Sequence, residues 1–360
     1  MAVAFVTHAH CHLHRMGDHH PERPARLNAI VDELHARGLY DVLLHHEAPR
    51  ASVEQLIRVH PLAYVEDLSK RSPAEGLAHI DPDTWNLSPR AAEAALTARA
   101  RGIIPVHYAG RPADVDAFAA LGAAHGLTVI EDAAHAVEAV AGGRKIGTTA
   151  DYTCFSFYAT KNLTTGEGGM LTTASDEGAR FARIAGLHGM SRDAWARYGP
   201  SGSPHYDVVM PGFKYNMMDL QAAIGLQQLS AINRRLAHRE AVWRMYDEGL
   251  AQLPVRRPAP VAPGDVHGRH LYTILVTPDS GWTRDELVAA LSARGITTSV
   301  HFRALHLHPY YAERFGFRRG QFPAAELVSD SVISLPLSGA MSESDALRVV
   351  ETLRHLVLKD

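Results

Sequence analysis

The sequence predicts an α/β protein, and three observations predict it. Short apolar runs alternate with helical stretches between Asp116 and Phe157, a glycine-rich turn then leads into another strand-like run, and the chain closes on an amphipathic segment. Pro89–Leu96 reads as a helix, and Asp116–His125 as a second one before the apolar run Leu127–Glu131. Ala133–Val140 reads as a short helix and Tyr152–Phe157 as a strand, the alternation of a layered sheet. Thr164-Thr165-Gly166-Glu167-Gly168-Gly169 supplies a tight hairpin before Met170-Leu171-Thr172-Thr173. Asp219–Leu236 carries helical periodicity, and the proline-rich Val255–Gly264 reads as a linker. Beyond it come a strand at Leu271–Val276, a helix at Arg284–Arg294 and a closing helix at Ser342–Leu358, together a smaller C-terminal unit.

At 360 residues and 46% hydrophobic content the chain can bury a large core and forms two or three structural units. A formal net charge of -3 without a basic run argues against nucleic-acid binding through phosphate contacts. No apolar stretch of about 18 residues and no signal-peptide pattern is present, so a cytoplasmic protein without a membrane partner is expected. The two cysteines, Cys11 and Cys154, suggest no disulfide framework. No Gly-x-Gly-x-x-Gly follows a strand and no Gly-Lys-Ser/Thr loop occurs, which sets aside the usual dinucleotide and nucleoside-triphosphatase readings.

The chemistry concentrates at two run ends. Asp132 ends Thr128-Val129-Ile130-Glu131-Asp132, and Lys161 follows Tyr152–Thr160. A carboxylate and a lysine so spaced suit a pyridoxal phosphate (PLP) site. The carboxylate keeps a pyridine nitrogen protonated, so the ring accepts electrons, and the lysine amine holds the aldehyde as an imine and then shuttles a proton. Only five of the 36 basic residues are lysines, and Lys161 follows the most apolar stretch among them. Against this, Asp132 could simply cap the helix beginning at Ala133, and Lys161 could be an ordinary strand-end lysine. Ser156 lies an odd number of residues before Lys161, so only a turn after Ser156 lets both reach one ligand.

From about residue 80 onward the chain resembles the DegT/DnrJ/EryC1/StrS family of nucleotide-sugar aminotransferases. The matching strings are Ile103–Pro112, Glu131–Ala136, Phe155-Ser156-Phe157 through Lys161-Asn162, Gly166–Gly169, Pro211–Met217 with Gln221–Gly225, and His301-Phe302 with His306–Tyr311. The resemblance implies PLP-dependent transferase fold type I, a three-layer α/β large domain plus a small C-terminal α/β domain, here 81–250 and 251–360. It implies that Lys161 carries the cofactor and Asp132 pairs with its ring nitrogen, as the catalytic pair. His135 would lie beside its phenolic oxygen, and Ser156 would bind its phosphate. Asn216 would reach the phosphate of a neighbouring subunit, so a homodimer is expected. His301, Phe302 and His306 fall where the family contacts substrate, although they could equally form a packed turn. The implied reaction moves an amino group from an amino acid, commonly glutamate, to a keto-sugar carried on a nucleotide.

Residues 1–80 resemble a different family. His19-His20-Pro21-Glu22-Arg23-Pro24, Arg58-Val59-His60-Pro61 and Tyr64-Val65 resemble the start of histone deacetylase-like amidohydrolases, joined near Ile80-Asp81-Pro82-Asp83-Thr84. The small-residue phosphate cup at a helix N-terminus and the ring that stacks on the cofactor are not found there. An alternative reading is therefore a chimeric fusion that binds PLP weakly and turns nothing over. A third is zinc-dependent deacylation. Asp265-Val266-His267 echoes a metal string without a second aspartate motif, and His8, His10, His12 and His14 would form a flat row rather than a converging site, so no metal site is assigned.

Overall fold

The computed structural model describes residues 4–7, 44–47, 80–190 and 207–358. The chain divides into two compact units, Met1–Ser72 and Pro73–Asp360. In the first, β1 (Ala4–Thr7) and β2 (Leu44–Glu47) pair in parallel, Ala4 opposite Leu44. The deacetylase-like strings and the histidine row lie outside the described residues.

The described part of the second unit begins with Ile80–Thr84, a tight turn in which the Asp81 carboxylate accepts from the backbone N–H of Asp83 and Thr84 and from the Thr84 hydroxyl. Arg256 ties this turn to the C-terminal part of the unit through the Pro82 carbonyl and Asp83. Helix α1 (Pro89–Ala94) starts on a Ser88 cap.

The main sheet contains β3 (Gly102–Ile103), β4 (Thr128–Asp132), β7 (Tyr152–Ser156) and β8 (Gly169–Thr172) in the order β3-β4-β7-β8. The first three run parallel and β8 is antiparallel. Helix α2 (Val115–His125) begins where Asp114 accepts from the Ala117 N–H and ends at Gly126, whose φ of 64° is the left-handed stop that glycine adopts at little cost. Its Phe118 and Leu121 pack on Ile103, Leu127 and Val129, burying one face of the sheet. Ala133, Ala136, Ala139 and Ile146 form a separate cluster with Val115, against which Phe155 packs.

The helix expected over Ala133–Val140 does not form. The Asp132 carboxylate accepts from the Ala134 N–H, and Ala136 and Ala139 each bond back only three residues, so the segment is a chain of turns. It then enters β5 (Val140–Ala141), which forms a hairpin with β6 (Arg144–Lys145) while Val140 also bridges Val266. The β-pairing of Val140 competes with the helix and wins.

Helix α3 (Asp176–Ala185) follows β8. The periodicity seen over Asp219–Leu236 resolves into α4 (Asp219–Ser230) and α5 (Ile232–Gly249), broken at Ala231. The expected linker begins as strand β9 (Val255–Arg256), paired with β10 (Tyr272–Val276), and β11 (Val332–Leu335) completes a three-stranded antiparallel sheet. Helices α6 (Arg284–Ser292), α7 (Pro309–Phe315), α8 (Pro323–Ser331) and α9 (Glu343–Leu358) complete the chain. The C-terminal core joins Val242, Trp243 and Tyr246 of α5 to Ile274, Leu287, Ile333 and Leu353. Helix α5 thus belongs by packing to the C-terminal core.

Candidate active site

Ligands of parallel α/β sheets gather outside the carboxyl ends of the strands, and β4 and β7 end side by side, Asp132 opposite Cys154. Beyond Ser156 the chain turns: the Phe157 N–H donates to the Gly168 carbonyl, the Thr165 N–H to the Phe157 carbonyl and the Lys161 N–H to the Tyr158 carbonyl. The Ser156 hydroxyl accepts from the Tyr158 N–H at 3.3 Å. This is the turn that Ser156 and Lys161 need to share a ligand. Gly168, at φ 157°, is required by close approach, because a Cβ there would lie 2.3 Å from the Thr165 hydroxyl.

The turn brings Lys161 within electrostatic reach of Asp132. Burial holds the Lys161 ammonium below the ordinary lysine range, and the Asp132 charge opposes that fall. Burial and then Asp132 push the Cys154 thiol up. His135 follows Asp132 by three residues, and its Nδ1 lies 3.3 Å from the Ala109 backbone N–H, which makes Nδ1 the acceptor. Burial first, then Lys161 and His301, depress His135 to about 3, so the ring is neutral near pH 7 and carries its proton on Nε2.

Three further rings close the site. His270 packs against His135 at 4.2 Å with the rings tilted by 39°, and Phe302 stacks on His135 at 6.3 Å. His301 packs edge-on against Phe302, and its Nδ1 lies 2.8 Å from the Ser334 hydroxyl. Burial, reinforced by Lys161, pushes His301 down to about 4. His270 is held well below its usual range by burial, with His135, Lys161, His301 and Arg239 adding to the effect. The Tyr108 hydroxyl donates to the His301 carbonyl, fixing the chain that presents Phe302. The lysine thus sits among neutral imidazoles and one carboxylate.

Of the sequence-predicted residues, Asp132, Lys161, His135, His301 and Phe302 assemble here, with Ser156 at the adjoining strand end. Asn216 is exposed and hydrogen-bonded to Lys214, on a separate groove of about 870 Å³ lined also by Tyr152, Gly168, Phe181 and Tyr215. His306 turns to Glu326 at 2.9 Å and is enclosed by Phe317 and Phe322, the packed-turn alternative. Asp265 and His267 serve separate backbone partners, the N–H groups of Gly142 and Arg269. Sequence reasoning missed His270, which lies 108 residues from its partner Asn162, and the buried Glu138–Arg239 pair behind them. Adjacency of Asn162 to Lys161 was the one local signal.

The donor set fits PLP: a carboxylate for a ring nitrogen, an amine of lowered basicity for an aldehyde, and a neutral imidazole N–H for a phenolic oxygen. Residues 74–354 match the DegT/DnrJ/EryC1/StrS aminotransferase family. The spore coat polysaccharide biosynthesis protein SpsC of Bacillus subtilis is 45% identical over 282 residues, 78% of this chain and 72% of SpsC. The aminotransferase TlmJ from Streptoalloteichus hindustanus superposes with a TM-score of 0.70 at 30% identity, covering 79% of this chain and 73% of TlmJ. The PLP form of Spr1654 from Streptococcus pneumoniae gives 0.71 at 27% identity, covering 85% and 84%. Among the described residues no helix is long and apolar enough to cross a membrane.

Proposed function

The chain belongs to the DegT/DnrJ/EryC1/StrS aminotransferase family, and from that premise we propose that it transfers an amino group from glutamate to a keto-sugar carried on a nucleotide. Its architecture is the α/β fold of PLP-dependent sugar aminotransferases, and PLP is the family's cofactor. The observation that carries the reading is the turn after β7 that sets Lys161 within electrostatic reach of Asp132 at the paired ends of β4 and β7, with His135, His301 and Phe302 packed beside it.

When bound, PLP supplies an aldehyde carbon that condenses with amines and a pyridinium ring that accepts electrons. The Asp132 carboxylate would keep the ring nitrogen protonated, and its position is fixed by the Ala134 N–H. Lowered basicity leaves more of the Lys161 Nζ as the neutral nucleophile, and the same atom can take a proton from a substrate carbon and return it. His135 presents Nε2–H as a donor toward a phenolic oxygen, and the Ser156 hydroxyl can donate to a phosphate. Phe302, 55% exposed, offers a face to substrate beside His301.

A homodimer is part of this reading. Helix α4, which follows Tyr215 and Asn216 in the chain, buries none of its residues, and Leu220, Leu226 and Leu229 on it are exposed. An apolar helix left uncovered favours an interface, and a second copy laid on it would carry Asn216 toward another subunit's phosphate. The domain limits 81–250 and 251–360 are proposed from the sequence, with α5 reaching across them to pack on the C-terminal core, and a cytoplasmic setting is proposed from the sequence alone.

The test is the visible spectrum of the purified protein with PLP, before and after glutamate and after borohydride reduction, beside Lys161→Ala. A band that bleaches with glutamate, traps on Lys161 and vanishes in the variant is expected, followed by turnover in a screen of nucleotide-linked keto-sugars. A band unchanged in Lys161→Ala would overturn the reading.

A further inference from the structure

Immediately behind Lys161 the structure builds a polar chain that the reaction scheme above does not use. The Asn162 carboxamide donates to Glu138 Oε2 at 3.0 Å and to the Gly268 carbonyl at 2.7 Å. Both N–H groups are thereby committed, so its Oδ1 acts as acceptor, and that oxygen lies 3.0 Å from His270 Nδ1. A neutral imidazole facing an acceptor through Nδ1 must carry its proton there. His270 is 9% exposed, Glu138 1% and Arg239 3%, so solvent does not compete for these bonds. The chain is anchored at its far end by Arg239, which donates to the other Glu138 oxygen and, through Nε, to the Arg269 carbonyl.

We infer that Asn162 is a positioning residue that fixes His270 as the neutral Nδ1–H tautomer, so that its Nε2 is a bare acceptor beside Lys161 and His135. This rests on the reading of Lys161 as the cofactor-bearing lysine. The two adjoining histidines then hold opposite tautomers: His135, whose Nδ1 accepts from Ala109, is a donor at Nε2, and His270 is an acceptor at Nε2. The pair gives the site one hydrogen-bond donor and one acceptor without adding a positive charge to a site that already contains Lys161. The charged and titratable groups around His270 are Lys161, His135, His301 and Arg239, with Glu138 one bond further out.

The orientation of the carboxamide is set by two acceptors, Glu138 and the Gly268 carbonyl, so the test removes the carboxamide rather than one of its partners. Asn162→Leu keeps the bulk and removes the acceptor, and Asn162→Ala removes it with less bulk; in both the His270 proton is expected to move to Nε2.

The experiment is ¹⁵N-histidine NMR on the full-length, cofactor-free protein, with His270→Gln used to assign the signal. The expected result is an Nδ1–H neutral tautomer for His270 at pH 7, with most of the population shifted to Nε2–H in both variants. An Nε2–H or charged His270 in the wild type, or a tautomer unmoved in the variants, overturns the inference. If Asn162→Leu fails to fold, Asn162→Ala decides alone. With PLP added, Asn162→Ala is expected to keep the reducible adduct at Lys161, while glutamate half-turnover slows by about 10- to 100-fold, the range carried by partners one step removed from a functional group. An unchanged rate overturns the positioning role. Absence of an adduct in the wild type refutes the aminotransferase reading separately, because the tautomer result is obtained without cofactor.

Discussion

Arg239→Met is predicted to be among the most damaging single substitutions in the chain, although Arg239 is not placed in contact with substrate. Arg239 and Glu138 are 3% and 1% exposed, and the guanidinium also donates to the Arg269 carbonyl at 3.0 Å. Removing one partner of a buried ion pair leaves the other charge without compensation and costs about 3–5 kcal/mol, a large part of a typical stability of roughly 5–15 kcal/mol. At about 2–4 °C per kcal/mol for a domain of this size, thermal unfolding falls by roughly 6–20 °C. The assay is urea and thermal unfolding of the wild type, Arg239→Met, Glu138→Gln and the double variant. The double variant removes both charges and is expected to recover at least half of the loss, because a buried pair replaced as a unit is close to neutral. A loss below about 1 kcal/mol in Arg239→Met, or a double variant as unstable as the single one, would refute the reasoning.

Three other outcomes follow from the geometry. His135 and His301 are depressed to about 3 and about 4, so the folded form binds fewer protons than the unfolded chain below about pH 6.5, and stability is full above that pH and lost as pH falls. A decline of up to about 6 kcal/mol between pH 7 and pH 4 is expected, measurably shallower in His135→Gln; equal slopes would count against buried neutral histidines. Gly189, at φ 71°, lies where a Cβ would meet the Met210 carbonyl oxygen at 1.7 Å, so Gly189→Ala is expected to cost at least about 2 kcal/mol, and wild-type stability in a denaturant titration would refute it. Leu226, 67% exposed on α4, is predicted to lie in the homodimer interface, and Leu226→Asp is expected to yield monomer by sedimentation; a wild-type monomer, or a variant that stays dimeric, would remove that surface from the account.

What the sequence made legible was whatever rests on nearest neighbours in the chain. The runs ending at Asp132 and Ser156 formed parallel strands as their β-branched and aromatic residues favour, and the Gly166–Gly169 turn was readable from its glycines, of which Gly168 has no room for a Cβ. The helix misread at Ala133–Val140 shows the limit: alanines favour helix, but the Asp132 carboxylate claims the Ala134 N–H two residues on, and Val266, which only tertiary placement brings near, claims Val140. The same limit hid His270. Nothing around Arg269-His270-Leu271 marks a site, and its importance comes from Asn162, which meets it only after the chain has folded. Lys161 itself was found by type and spacing, yet the properties that make it reactive, burial and a carboxylate within reach, belong to the assembled turn. A sequence motif therefore locates the reacting atom, while the protonation states around it are set by residues up to about a hundred positions away, which is why the decisive measurements proposed above read protons rather than contacts.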